Sequence, residues 1–148
     1  MSVYSRILLA VDLNVDSISI GRRARDLAQR LGAELAVLHV VEFVAVEPMG
    51  EAMAAPVQLM NELAAAARQR LLALCADIGV AADHQRVEVG NVKAEIVRVA
   101  RAMACDLIML GARERHGLSI LVNLTEDAVL HAAPCDVLAV RVGGDPAA

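Results

Sequence analysis

Aromatic residues are almost missing from this 148-residue chain: Tyr4 and Phe43 stand alone, and there is no tryptophan. Proteins that hold single-stranded nucleic acid or sugars against flat rings need such side chains, so those classes are disfavoured from the outset. Uncharged apolar runs of about 18 residues, the length that spans a bilayer, are lacking too. The apolar run near the amino end, Ile7 to Val11, stops at Asp12, and no small-residue cleavage site follows. A cytoplasmic protein without a membrane span is expected. No C-x-x-C spacing occurs. Cys75, Cys105 and Cys135 are odd in number and far apart, which reads as small buried hydrophobes in a reducing compartment rather than redox or metal ligands. His84, His116 and His131 are as scattered, and no metal site is expected. The formal net charge of -4 disfavours a broad phosphate-backbone surface, so no nucleic-acid partner is expected either.

What is present points to one α/β domain. Apolar residues make up 57% and charged ones 22%, enough for one well-buried core at this length. Five apolar, β-branched runs recur: Ile7–Val11, Leu35–Val41, Gln85–Val89, Leu107–Leu110 and Val137–Val142. Most are continuous, as parallel strands buried on both faces require, while the third alternates as an edge strand does. Helical stripes lie between them. The first is Ile20, Ala24, Leu27, Ala28 and Leu31, capped by Asp16 or Ser17 and stopped at Gly32. The second is Leu59, Leu63, Ala66, Ala67, Arg70, Leu74 and Ile78; the third is Val92, Ile96, Val99, Ala100 and Met103. A fourth helix is expected from about Ser119 to His131. Strict strand–helix alternation gives a parallel sheet with right-handed crossovers. Residues 1–142 form the domain and 143–148 a flexible tail. Glu42 to Pro56 reads as a long irregular stretch, a lid, interface or disordered loop.

Ligands of such sheets sit outside the carboxyl ends of the strands, at the switch point of strand order. Four segments should converge there: Asp12–Asn14, Val40–Glu42, Gly90–Val92 and the loop opening at Gly111. A glycine directly after a buried parallel strand is where phosphates are held, because a bare backbone lets amides approach the anion.

These segments, in order, resemble the universal stress proteins. The resemblance covers essentially the whole chain. It rests on Ile7-Leu8-Leu9-Ala10-Val11-Asp12, Leu38-His39-Val40, Val89-Gly90-Asn91, Asp106-Leu107-Ile108-Met109-Leu110-Gly111 and Ala133-Pro134-Cys135-Asp136-Val137-Leu138-Ala139-Val140. It implies a doubly wound, Rossmann-like five-stranded sheet in the order 3-2-1-4-5, helices on both faces, and dimerisation through the last strand. The strand Val137–Val142 is apolar and would lie at a sheet edge, which pairing with a twin would cover. Family members that bind ATP carry G-x2-G-x9-G-[ST] after strand four. Here Gly111 fills the first position and Thr125 the last, but Glu114 and Leu124 replace the second and third glycines. A carboxylate about 4 Å from a phosphate opposes it by roughly 1–4 kcal/mol. The broken pattern resembles the UspA-type branch, which lacks the ATP motif. On the other side, Asp12 matches the family's acidic residue near adenine and ribose, and Val41 would present backbone groups to a purine. Arg113, Arg115 and His116 add positive charge suited to an anion.

Plainer readings stand beside these. Asp12 reads equally as a brace of the first turn and as a ligand contact. His39 reads as a packed, hydrogen-bonded core histidine, Lys93 and Glu95 as a solvated helix end, and Arg113 and Arg115 as loop charges. Met49, Met53 and Met60 read as gap-fillers. Ser119 sits in no G-x-S-x-G elbow and no cysteine has a histidine partner in sequence, so no enzyme is expected. The expected protein is a non-enzymatic stress-response module, a homodimer with unidentified protein partners and no cofactor. The alternative is a nucleotide-dependent switch or weak ATPase holding ATP with Mg at Asp12, Val41, Gly111 and Thr125.

Overall fold

The computed structural model describes residues 2–42, 54–113 and 125–142. Five strands alternate with four helices: β1 (Arg6–Ala10), α1 (Ser17–Leu31), β2 (Glu34–Glu42), α2 (Ala54–Ile78), β3 (Gln85–Gly90), α3 (Val92–Ala102), β4 (Leu107–Arg113), α4 (Thr125–Ala132) and β5 (Asp136–Val142). The strands form one all-parallel sheet in the order β3-β2-β1-β4-β5. The chain runs outward from β1 to β3 on one side, then crosses to β4 and β5 on the other. The switch point therefore lies between β1 and β4.

Alternation of side chains along each strand sorts the core into two layers. Ile7, Leu9, Val37, Leu107 and Met109 meet α1 and α2 through Ile20, Ala24, Leu71, Leu74 and Ile78. Leu8, Leu38, Ile108 and Leu110 meet Ile96, Val99 and Ala100 of α3 and Val129 of α4. Each large aliphatic side chain withdrawn from water contributes about 1.5–3 kcal/mol. β3 is half-buried along its length except at the exposed Val89, as an edge strand allows.

Three local expectations need correction. The start of α1 is fastened by Asn14, not by Asp16 or Ser17. The Asn14 Oδ1 accepts from the Asp16 N–H at 3.0 Å and from the Ser17 hydroxyl at 3.4 Å, while the Asp16 side chain makes no capping bond. The other end follows the sequence: Gly32 adopts φ 66°, and the Ala33 N–H reaches the Ala28 carbonyl at 2.8 Å. α2 begins at Ala54, well before the expected start, and buries Ala64, Ala67, Leu71, Leu74, Cys75 and Ile78. Leu59, Leu63, Ala66 and Arg70 are exposed instead. An alanine-rich helix with so weakly marked an apolar face leaves its own phase undetermined, and tertiary packing sets it. β4 runs on to Arg113, three residues past the expected end at Leu110, because Gly111, Ala112 and Arg113 pair with Val140, Arg141 and Val142. Residues 43–53 of the expected long loop, the 119–124 start of the fourth helix, and the expected tail 143–148 lie outside the described residues.

Candidate functional site

The register places the carboxyl ends of the central strands side by side. Ala10, Leu38 and Leu110 stand level across β1, β2 and β4. Asp12 lies two residues beyond that level, Val41 three and Gly111 one. These three expected site residues therefore fall within two residue steps, roughly 7 Å along the strand direction. Asp12 is exposed and Val41 is buried. Thr125 is the first residue of α4. Glu114, Arg115, His116 and Leu124 lie outside the described residues, as do Met49 and Met53.

The turn that carries Asp12 is fastened at several atoms. The Val11 N–H bonds to the Leu38 carbonyl at 2.9 Å, continuing the β1–β2 ladder beyond its last paired residue. The Val11 carbonyl lies 2.7 Å from Nδ1 of His39. A carbonyl only accepts, so this contact puts a proton on Nδ1. His39 is therefore the hydrogen-bonded core residue its sequence context suggests, half-buried on the α1–α2 face of β2. Leu13 follows in the left-handed region at φ 60° while its side chain is buried, a conformation that branched side chains avoid. The guanidinium of Arg70 on α2 holds the Leu13 carbonyl through Nη2. Arg70 is a structural brace that the sequence placed wrongly, as part of a buried stripe. The signal was available: it is the only charged member of that stripe.

The end of β3 is committed to structure rather than left open. The Asn91 side chain caps α3 by accepting from the Ala94 N–H at 3.0 Å. Glu95 folds over Gly90, with its Cγ 3.1 Å from where a Cβ would sit. It also pairs with Arg98 at 2.5 Å, and Arg98 reaches Glu88 at 3.2 Å, itself 3.2 Å from Arg86. Glu95 is thus part of an ion-pair chain and not a solvated helix end, whereas Lys93 is exposed as expected.

At the opposite end of the sheet, the Asp106 carboxylate accepts from the Ser5 and Arg6 N–H groups at 2.8 and 2.9 Å, tying β1 to β4. Desolvation works to raise this carboxyl, but the Arg6 and Ser5 amides, its own amide and the Arg6 charge outweigh it and hold it below the usual value. Burial pushes the Cys75 and Cys105 thiols up to about 11 and raises Cys135 as well. Cys75 and Cys105 are buried, as their sequence context suggests, while Cys135 is half-buried; none of the three has the lowered pKa of a reactive thiol. Among the described residues, no group of three or more His, Cys, Asp or Glu side chains is placed to hold a metal. No described helix is long and apolar enough to cross a membrane.

Known proteins share both the sequence and this architecture. The universal stress protein family model matches residues 3–141. Universal stress protein A homolog 2 of Coxiella burnetii is 35% identical over 145 residues, covering 97% of this chain and 99% of the relative. The solved universal stress protein UspA from Lactobacillus plantarum superposes with a TM-score of 0.69 at 28% identity, over 93% of this chain and 98% of that one. A universal stress protein solved in complex with cAMP shares the fold, with a TM-score of 0.62 at 19% identity over 95% of this chain and 98% of that one. With its strand order, its two-layered core and its ordered set of strand-end segments, this chain belongs to the universal stress protein family.

Proposed function

We propose that this protein is a UspA-type universal stress protein: a non-enzymatic stress-response or regulatory module of the cytoplasm. It acts through protein contacts, as a homodimer joined along β5, and does not hold ATP. The observation that carries the ATP part of this reading is the course of β4. A phosphate-binding glycine marks the point where a chain leaves its sheet, freeing amides to wrap an anion. Here Gly111 stays in the strand, paired with Val140, and the next two residues pair with β5 as well. The two glycines that the motif needs next are Glu114 and Leu124. The dimer part is supported by β5 itself, an edge strand on which Leu138 is 40% exposed.

The second reading, a nucleotide-dependent switch or weak ATPase, is favoured by the convergence of Asp12, Val41 and Gly111 at one sheet end. The fold neighbour solved with cAMP supplies the general precedent. Thermal shift with millimolar ATP and magnesium, and separately with cAMP, distinguishes the two. A ligand at a hundredfold excess over its dissociation constant stabilises by about 2.7 kcal/mol. The expected result is a flat wild type and a shift in the Glu114→Gly, Leu124→Gly double variant. A clear shift in the wild type would move the protein to the nucleotide-binding branch. Sedimentation at micromolar concentration should give a dimer that Leu138→Asp dissociates; monomer alone in the wild type would sink the homodimer.

A further inference from the structure

A groove of about 380 Å³ lies along α3 where that helix meets the last residue of α4. Lys93, Ala94, Val97, Arg98 and Arg101 line it from α3, and Ala132 lines it from α4. The five α3 residues fall within an arc of about 140° on the helix, so they share one face. Lys93 and Arg101 stand about 12 Å apart along the axis, with the small apolar residues Ala94 and Val97 between them.

The charge of this face is not spent inside the molecule. None of the described lining residues is acidic. Arg98 is held by Glu95 at 2.5 Å and by Glu88 at 3.2 Å. Lys93 and Arg101 are exposed, and among the described residues they make no ion pair. Lys93 is also the second residue of α3, where the positive end of the helix dipole opposes a cation. The helix itself gains nothing from a lysine there. In a chain of net charge -4, an apolar floor between two unpaired cations runs against the molecular average.

We propose that this groove docks an acidic amphipathic helix of a partner protein. The proposal rests on the reading that the protein acts through protein contacts, and it supplies the chemistry of the partner. Carboxylates two helical turns apart on the incoming helix match the separation of Lys93 and Arg101. Apolar side chains between those carboxylates cover Ala94, Val97 and Ala132, the usual way a helix seats in a groove. Arg98, already fixed by its two carboxylates, borders the seat without having to be ordered. Nucleic acid fits this face less well. Two unpaired cations neutralise few phosphates, and the floor offers no ring on which a base could stack.

The test is a nitrogen-15 NMR titration of the full chain with a synthetic helical peptide. The peptide carries glutamates two turns apart, with alanine and leucine on the face between them. Amide shifts should centre on α3 and the end of α4, and raised salt should weaken binding. The Lys93→Glu, Arg101→Glu double variant should bind about tenfold more weakly, and a peptide with lysines for its glutamates should bind that variant instead. Both residues are exposed, and Lys93→Ala, Arg101→Ala serves if charge reversal disturbs folding. Equal binding of a peptide with glutamines for its glutamates would overturn the proposal. So would the absence of shifts, or displacement of the peptide by a single-stranded oligonucleotide or by anionic phospholipid vesicles. Shifts centred on β5 or the strand-end cleft would overturn the groove and leave the protein-contact reading standing. Thermal stabilisation of the wild type by ATP would overturn that reading without touching the groove.

Discussion

Replacing His39 with leucine tests the turn that presents Asp12. The imidazole Nδ1–H donates a hydrogen bond to the Val11 carbonyl at 2.7 Å, and leucine keeps much of the volume while removing the donor. A lost intramolecular hydrogen bond costs about 1 kcal/mol, rising toward 3 when the abandoned acceptor is dry. His39 is only half-buried, so water reaches part of the site and about 1.5 kcal/mol is expected. In a domain of this size that lowers the melting temperature by roughly 3–6 °C. Because the Val11 N–H keeps its own bond to Leu38, the loosening should stay local. Hydrogen exchange should quicken at Leu13 and Asn14 and remain unchanged within β1. Nitrogen-15 NMR of the imidazole provides an independent reading: in the neutral ring the proton must sit on Nδ1. An Nε2-protonated ring, or a His39→Leu variant that melts at or above the wild-type temperature, would refute the reasoning.

Gly32→Ala should destabilise by about 1 kcal/mol in urea melts, because φ 66° is left-handed while no neighbour within 4 Å offers the new methyl a contact. Asp106 titrates below its ordinary 3.8 in the folded state, so the unfolded chain takes up that proton first. Its contribution is present above 3.8 and is lost as pH falls through the lowered folded value. Asp106→Asn should flatten acid unfolding curves and cost about 1 kcal/mol at neutral pH, exposure limiting the effect. For Cys75 and Cys105 the sign reverses. Their folded thiols hold protons to about 11 against an ordinary 9.0, so the unfolded chain loses them first. Stability should therefore fall as pH rises between those values, by about 2–3 kcal/mol per thiol at the upper end, with a shallower slope in Cys75→Ala.

The strands were legible because burial on both faces writes itself as continuous runs such as Ile7–Val11 and Leu107–Leu110, and β3 because its charges alternate. Strand order came from the resemblance, and the observed sheet agrees. The phase of α2 was not legible, since alanine satisfies buried and exposed positions alike. Asn14, Asp16 and Ser17 all carry capping oxygens within one turn, and only the geometry selects among them. At the candidate site, register brings Asp12, Val41 and Gly111 to the same end of the sheet, within two residue steps of one another. The Arg70 bond joins residues 57 positions apart in the chain, and no local pattern records such a contact. The Glu114 and Leu124 substitutions are read from spacing alone.

The chain of charges from Arg86 through Glu88 and Arg98 to Glu95 makes the sheet directional in a sense beyond strand polarity. β3 and β5 are the two edges of the described sheet, and two adhesive edges on one body can propagate into a fibre. On β3, a newcomer strand would have to lay its side chains beside Arg86 and Glu88, and such charges discourage edge-to-edge growth. β5 offers Leu138 and Ala139 instead, both exposed. A molecule with one willing edge and one guarded edge can add a partner but cannot extend beyond it, so any assembly begun at β5 closes at its second member.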